Sequence, residues 1–99
     1  VITKVFSIHD GKAKAFQLPF YMQTVGAAIR AFEDLANDPK TIVSRHPEDF
    51  VLYEIGSYDD STAEVVNNHP LSLVAAATEF KKPDMLPLKL ITKDEKQEA

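Results

Sequence analysis

The side chains with the widest chemical repertoire are three histidines, His9, His46 and His69, and fifteen Asp and Glu residues. The histidines come from three separate turn-like stretches and never stand four apart, the spacing that sets two metal ligands on one helix face. His46 with Glu48 or Asp49 comes nearest to a metal-ligating set. His46-Pro47-Glu48-Asp49 nevertheless reads more naturally as a turn whose side chains cap backbone groups. Asp59-Asp60-Ser61 carries the charge of a calcium loop but lacks the required glycine and the distal bidentate Glu, so a hairpin tip is expected there. Glycines 11, 26 and 56 are too dispersed for a dinucleotide fingerprint or a phosphate-binding loop. Cysteine is absent, which excludes disulfides, thiolate metal sites and a cysteine nucleophile. Acid–base catalysis needs two titratable groups with separated pKa values in one cleft, and no pair of acids is singled out by spacing. The expectation is a non-enzymatic protein with neither metal nor cofactor.

Nucleic-acid binding has a better physical basis. Aromatic rings exposed on a sheet stack bases, while Lys and Arg around them neutralise phosphates. Lys12 and Lys14 flank the approach to Phe16, and Phe20-Tyr21 lies further along the same run. The candidate contacts are Lys12, Lys14, Arg30, Lys40 and Arg45 for phosphates, with Tyr21 for stacking. Plainer roles are Phe16 and Phe20 in the core with only Tyr21 outward, and Arg30 solvated on a helix, paired with Asp34 at i+4 for roughly a few tenths of a kcal/mol.

The net charge of −4 is unevenly spread. Residues 1–45 hold six basic side chains against four acids, 46–80 hold seven acids and no Lys or Arg, and 81–99 hold five Lys against four acids. That contrast fits either a two-faced surface, one side tolerating polyanions and the other meeting a basic partner, or two halves that interleave on folding and cancel it.

The elements that position these residues follow from hydrophobic periodicity. Ninety-nine residues, 44% of them apolar, suffice for one domain. Val1 to Ile8 alternates as a strand with Ile2, Phe6 and Ile8 on one face, and His9-Asp10-Gly11-Lys12 supplies a reversal in which Gly11 can take positive φ. Lys14 to Gln23 reads as a second strand, with Phe16, Leu18, Phe20 and Met22 on one face and Pro19 pushing it to a sheet edge or a bulge. From Thr24, a plausible N-cap, Val25, Ala28, Ile29, Phe32, Leu35 and Ala36 form one helical stripe that ends near Asn37, ahead of Asp38-Pro39. Pro39 to Asp49 is a polar connection. Phe50 to Ile55, apolar on both faces, reads as a central strand, Gly56 to Ser61 as a hairpin loop released by Gly56, and Thr62 to Val66 as a fourth strand. Asn67-Asn68-His69-Pro70 breaks the pattern, and Leu71 to Phe80 is either a short helix or a fifth strand.

The fold expected is α+β: a small antiparallel sheet of four or five strands, one main helix on one face, in the order β-β-α-β-β, then a short element and a tail. Residues 1–80 form the domain, and 81–99 an extended or partly disordered tail, although Met85, Leu86, Leu88, Leu90 and Ile91 give part of it something to dock. No stretch approaches the roughly 20 apolar residues of a membrane-spanning helix, and the N-terminus shows no export signal.

Taken in order, Lys4-Val5-Phe6-Ser7-Ile8, Pro19-Phe20, Gly26-Ala27-Ala28-Ile29-Arg30-Ala31-Phe32, Asn37-Asp38, His46-Pro47-Glu48-Asp49-Phe50 and Leu52-Tyr53-Glu54-Ile55-Gly56-Ser57-Tyr58-Asp59-Asp60 resemble one family. It is the small nonstructural protein of gokushoviruses, single-stranded DNA phages of the Microviridae. The resemblance covers about residues 1 to 80, while Ser61 to Asn68 and the tail after Lys82 match no pattern. It implies an early-acting phage factor in the bacterial host cytoplasm that binds DNA and helps commit replication to single-stranded genome synthesis or packaging. The alternative is an adaptor that meets a host replication factor or a viral protein through its acidic segment, 46–80. Either function allows a homo-oligomer, formed through a sheet edge or the apolar tail.

Overall fold

A computed structural model describes residues 1–83. It is an α+β fold: a five-stranded antiparallel sheet with one main helix against one face. The central pair, β1 (Ile2–Asp10) and β4 (Phe50–Asp59), runs antiparallel along the whole length of β1, from Ile2 opposite Asp59 to Asp10 opposite Phe50. β5 (Glu64–Ala76) flanks β4. On the other side of β1 lie two short pieces, β2 (Ala15–Phe16) and β3 (Phe20–Met22).

The run expected as one second strand is therefore two. Pro19 has no N–H for the ladder, and Gln17-Leu18-Pro19 leaves the sheet, keeping one backbone bond from Gln17 N–H to the Ile8 carbonyl, 2.8 Å, and one from the Ser7 hydroxyl to the Gln17 carbonyl. The interruption changes which side chains share a face. Phe16 pairs with His9 and Tyr21 with Val5, so five steps along this chain answer four along β1. Phe16 and Tyr21, on opposite faces of an unbroken strand, thus point the same way. The expected apolar face is split: Phe20 and Met22 pack against the core, whereas Phe16 is 46% exposed and Leu18 90% exposed.

Helix α1 (Val25–Asn37) begins where Thr24 Oγ1 accepts the Ala27 N–H at 3.1 Å and ends where Asp38, ahead of Pro39, turns extended. Its stripe of Ala28, Phe32 and Ala36 closes over Phe6, Ile8, Phe50 and Leu52. Phe6 stacks on Phe20 at 5.8 Å, and Phe32 meets Phe80 edge-on at 6.3 Å. Burying a ring such as Phe32, which is fully enclosed, contributes about 1.5–3 kcal/mol. The connection after α1 is more ordered than its polarity suggested. Thr41 caps a one-turn helix α2 (Ile42–Arg45) that sends Val43 into the core, and Pro47–Asp49 forms a 3-10 turn.

Three local expectations are corrected. In the β1–β2 turn the positive φ falls on Lys14, not Gly11, because Asp10 organises the turn: its Oδ1 accepts from Lys12 and Ala13 N–H, and its carbonyl from Lys14 N–H. Gly56 does not release β4 into a loop. It is buried mid-strand, where a Cβ would collide with the Val66 carbonyl of β5, so the absence of a side chain lets the strands close. The hairpin tip falls at Asp60–Ala63 instead, with Ala63 N–H donating to the Asp59 carbonyl at 2.8 Å. Finally, β5 continues through Asn67-Asn68-His69-Pro70. Gly56 pairs with Asn67 and Glu54 with Ser72, so Asn68 to Leu71 swell outward opposite Ile55 alone. The stretch 71–80 is mainly strand, closed by a 3-10 turn at Ala77–Glu79.

Lys81 and Lys82 are tied back to the helical side, Lys81 Nζ to Ser44 Oγ and Lys82 N–H to Asn37 Oδ1, both at 2.8 Å. The rest of the expected tail, with Met85 to Ile91, lies outside the described residues.

Candidate functional site

The sheet has one face under α1 and one without a helix. Alternation on β1 sends Phe6 and Ile8 toward α1, leaving Val5, Ser7 and His9 on the open face. Across the ladder Tyr53 lies opposite Ser7, and Tyr58 opposite Thr3. Phe16 and Tyr21 join them through the re-phasing at Gln17–Pro19.

These rings form two groups. At one end His9, Phe16 and Tyr53 make successive edge-on contacts, His9–Phe16 at 4.8 Å and Phe16–Tyr53 at 5.5 Å between centroids. At the other end Tyr21 meets Tyr58 at 5.9 Å. Phe16 and Tyr21, half exposed, have faces or edges free for a planar ligand. Beneath the first group Ser7 is buried, its Oγ–H donating to the Gln17 carbonyl at 2.7 Å. Leu73, opposite Tyr53, and Val65, opposite Tyr58, add exposed apolar surface. The paired positions of this face carry no Lys, Arg, Asp or Glu.

The candidate cations stand around the sheet instead. Lys12 and Lys14 occupy the turn that leads into β2, beside the His9–Phe16 end, and both are exposed. Gly11 N–H donates to the Asp49 carbonyl at 2.7 Å, which fastens this turn to the segment after α2 and brings Lys12 toward His46. Arg45, one residue earlier, belongs to the same end of the molecule. A hollow of about 220 Å³ there is lined by Lys12, Ile42, His46 and Phe50, but also by Asp10 and Asp49. Lys40 is exposed in the loop between α1 and α2. Arg30 is exposed on α1, on the helical side of the sheet, and no ion pair joins it to Asp34 among the described residues. Lys12 and Lys14 thus share one turn, Arg45 adjoins His46 of the hollow that Lys12 lines, Tyr21 sits on the open face, and Arg30 lies on the helical side.

His46, Glu48 and Asp49 offer ligand atoms within 4.8 Å of one another. Their turn is closed by the Asp49 N–H to the His46 carbonyl, 3.0 Å, and not by side-chain caps. At the far hairpin tip, Ser61 donates to Asp59 Oδ1 from its hydroxyl, 2.7 Å, and from its N–H, 3.0 Å, and these bonds hold the Asp59 carboxyl below its ordinary pKa.

The family model described as Phage ORF5 protein matches residues 3–80. The chain belongs to this family. No curated protein and no solved structure matches it. The span matched by the Phage ORF5 model takes in, apart from Ile2, the five strands and two helices of the described residues, so the ring-bearing face and the Lys12–Lys14 turn are parts of the family domain. No helix among the described residues is long and apolar enough to cross a membrane.

The sequence candidates include Tyr21 and the lysines, but His9, Tyr53 and Tyr58, which share the open face with Tyr21, are not among them. The available signal was the type of residue: a tyrosine in a strand combines an apolar ring with a hydroxyl that seeks water, which favours a half-exposed face.

Proposed function

We propose that this protein is a non-enzymatic, single-stranded-DNA-binding accessory protein of a gokushovirus-type phage of the Microviridae, acting in the host cytoplasm during single-stranded genome synthesis or packaging. One observation carries the reading: an open sheet face bearing the linked rings of His9, Phe16 and Tyr53, with Lys12 and Lys14 in the turn that borders it. Rings on a sheet stack bases without regard to sequence, and lysines at the margin meet the backbone phosphates. The neutral character of the face suits bases, which are uncharged.

The adaptor reading has less support. Acids of segment 46–80 separate along β4, with Glu48 and Asp49 before its start and Asp59, Asp60 and Glu64 at its far tip, about 30 Å away at about 3.3 Å per residue. Glu54 is partnered by Lys4 at 3.7 Å.

The test is fluorescence anisotropy of a labelled single-stranded oligonucleotide at about 50 mM salt and again at higher salt. Binding that weakens steeply with salt is expected. A flat signal up to tens of micromolar protein overturns the reading.

A further inference from the structure

The swelling of β5 opposite Ile55 does more than interrupt a ladder. Asn68 to Leu71 rise beside the open face, and the break at Gln17–Pro19 stands across β4 and β1 from them. Between the two irregularities lies a cavity of about 330 Å³, at the small end of ligand pockets, which run from roughly 300 to 1,000 Å³. Phe16 and Leu71 contribute apolar surface to it, and Gln17, Asn67 and His69 contribute polar groups.

Its chemistry is selective. None of the lining residues is Lys, Arg, Asp or Glu, so a phosphate or a carboxylate finds no countercharge inside. The Ser7 hydroxyl is already committed to the Gln17 carbonyl, and the Asn68 amide donates to the Glu54 carbonyl at 3.2 Å. The side-chain amides of Gln17 and Asn67 have no hydrogen-bond partner among the described residues. An amide presents a donor and an acceptor side by side, the pattern that matches the hydrogen-bonding edge of a base. Phe16, held by its contacts with His9 and Tyr53, supplies an aromatic wall. Cations wait outside: Lys14 stands two residues before Phe16, and Lys12 four.

We infer that this cavity is a pocket for one unstacked nucleobase, stacked against Phe16 and read by the amides of Gln17 and Asn67, while the flanking phosphates run toward the Lys12–Lys14 turn. The inference rests on the single-stranded DNA reading above and adds base discrimination to it.

Labelled dA, dC and dT ten-mers are titrated against the wild type and against a Gln17→Ala/Asn67→Ala double variant, with circular dichroism as the folding control. Both residues are exposed, and Asn67→Ala alone serves if the double variant misfolds. The wild type is expected to separate the strongest from the weakest homopolymer by at least about fivefold. In the variant these affinities converge, with the salt dependence unchanged because no cation has been removed. Equal affinities in the wild type, or differences that survive in the variant, overturn the pocket while leaving DNA binding in place. Absence of binding by every ten-mer overturns both. A wild-type dimer in sedimentation that Phe16→Ala dissociates, with base preference unaltered, assigns the cavity to self-association and overturns the pocket.

Discussion

Phe16 on β2 and Tyr53 on β4 touch edge to face, 5.5 Å between ring centroids, although a whole strand separates their backbones. The contact passes over β1 at Ser7, whose small buried side chain leaves room above it. A ring-lined surface is thereby made continuous across three strands.

Removing Tyr53 breaks that continuity without opening the core, since its side chain lies on the face away from α1. Tyr53→Ala is expected to weaken oligonucleotide binding by about 1–3 kcal/mol, roughly 5- to 150-fold, the usual worth of one base stacked on a ring. Anisotropy titration reads this out, and an unchanged affinity removes Tyr53 from the binding surface.

The two turn lysines act on a different quantity. Each phosphate contact with a single strand contributes about 0.7 to the slope of log K against log salt. Replacing both Lys12 and Lys14 by Ala is expected to lower that slope by about 1.4 while leaving any base preference intact. A slope equal to the wild type's places the phosphates elsewhere.

Gly56→Ala tests the close approach of β4 and β5. The added methyl meets the Val66 carbonyl, a backbone atom that cannot rotate away, so the strands must separate. Destabilisation of about 1–3 kcal/mol is expected, as for other overpacked sites, and appears as a lower urea midpoint. An unchanged midpoint contradicts the buried mid-strand position.

The hairpin tip carries a pH signature. Asp59 is held below its ordinary pKa by the Ser61 hydroxyl and then by the Ser61 N–H. A depressed carboxylate contributes stability that is complete above its unfolded pKa, near 4, and is lost as pH falls through the folded value. Urea midpoints followed from about pH 5 downward are expected to fall more for the wild type than for Ser61→Ala. Because the site lies at a hairpin tip open to solvent, the difference is small and largest at low ionic strength. Parallel curves contradict the Asp59–Ser61 bonds.

Local features of this fold were legible in the sequence, and relational ones were not. The Thr24 cap, the stripe from Val25 to Ala36 and the stop before Pro39 depend on neighbours within four residues, and α1 follows them. Pro19 announced an edge, but nothing near it indicated that one extra residue would turn Phe16 and Tyr21 to the same side. Gly56 looked like punctuation because its reason for being glycine, the Val66 carbonyl, belongs to another strand. Asn67 to Pro70 looked like a terminator because the ladder that carries β5 past them is supplied by β4. Tyr53 sits in a run with apolar residues on both sides, where only the placement of α1 decides which side stays open, and Tyr58 falls in the stretch expected as a hairpin loop, which β4 instead carries as strand.

The break at Gln17–Pro19 also limits how copies of this chain can associate. A sheet grows into a fibre only when both of its margins accept another strand, and here the β2–β3 margin is cut into pieces of two and three residues with a proline between them. The outer margin of β5 is the longer one among the described residues. Backbone pairing between two such margins uses both of them up, so assembly by that route closes at a pair instead of propagating.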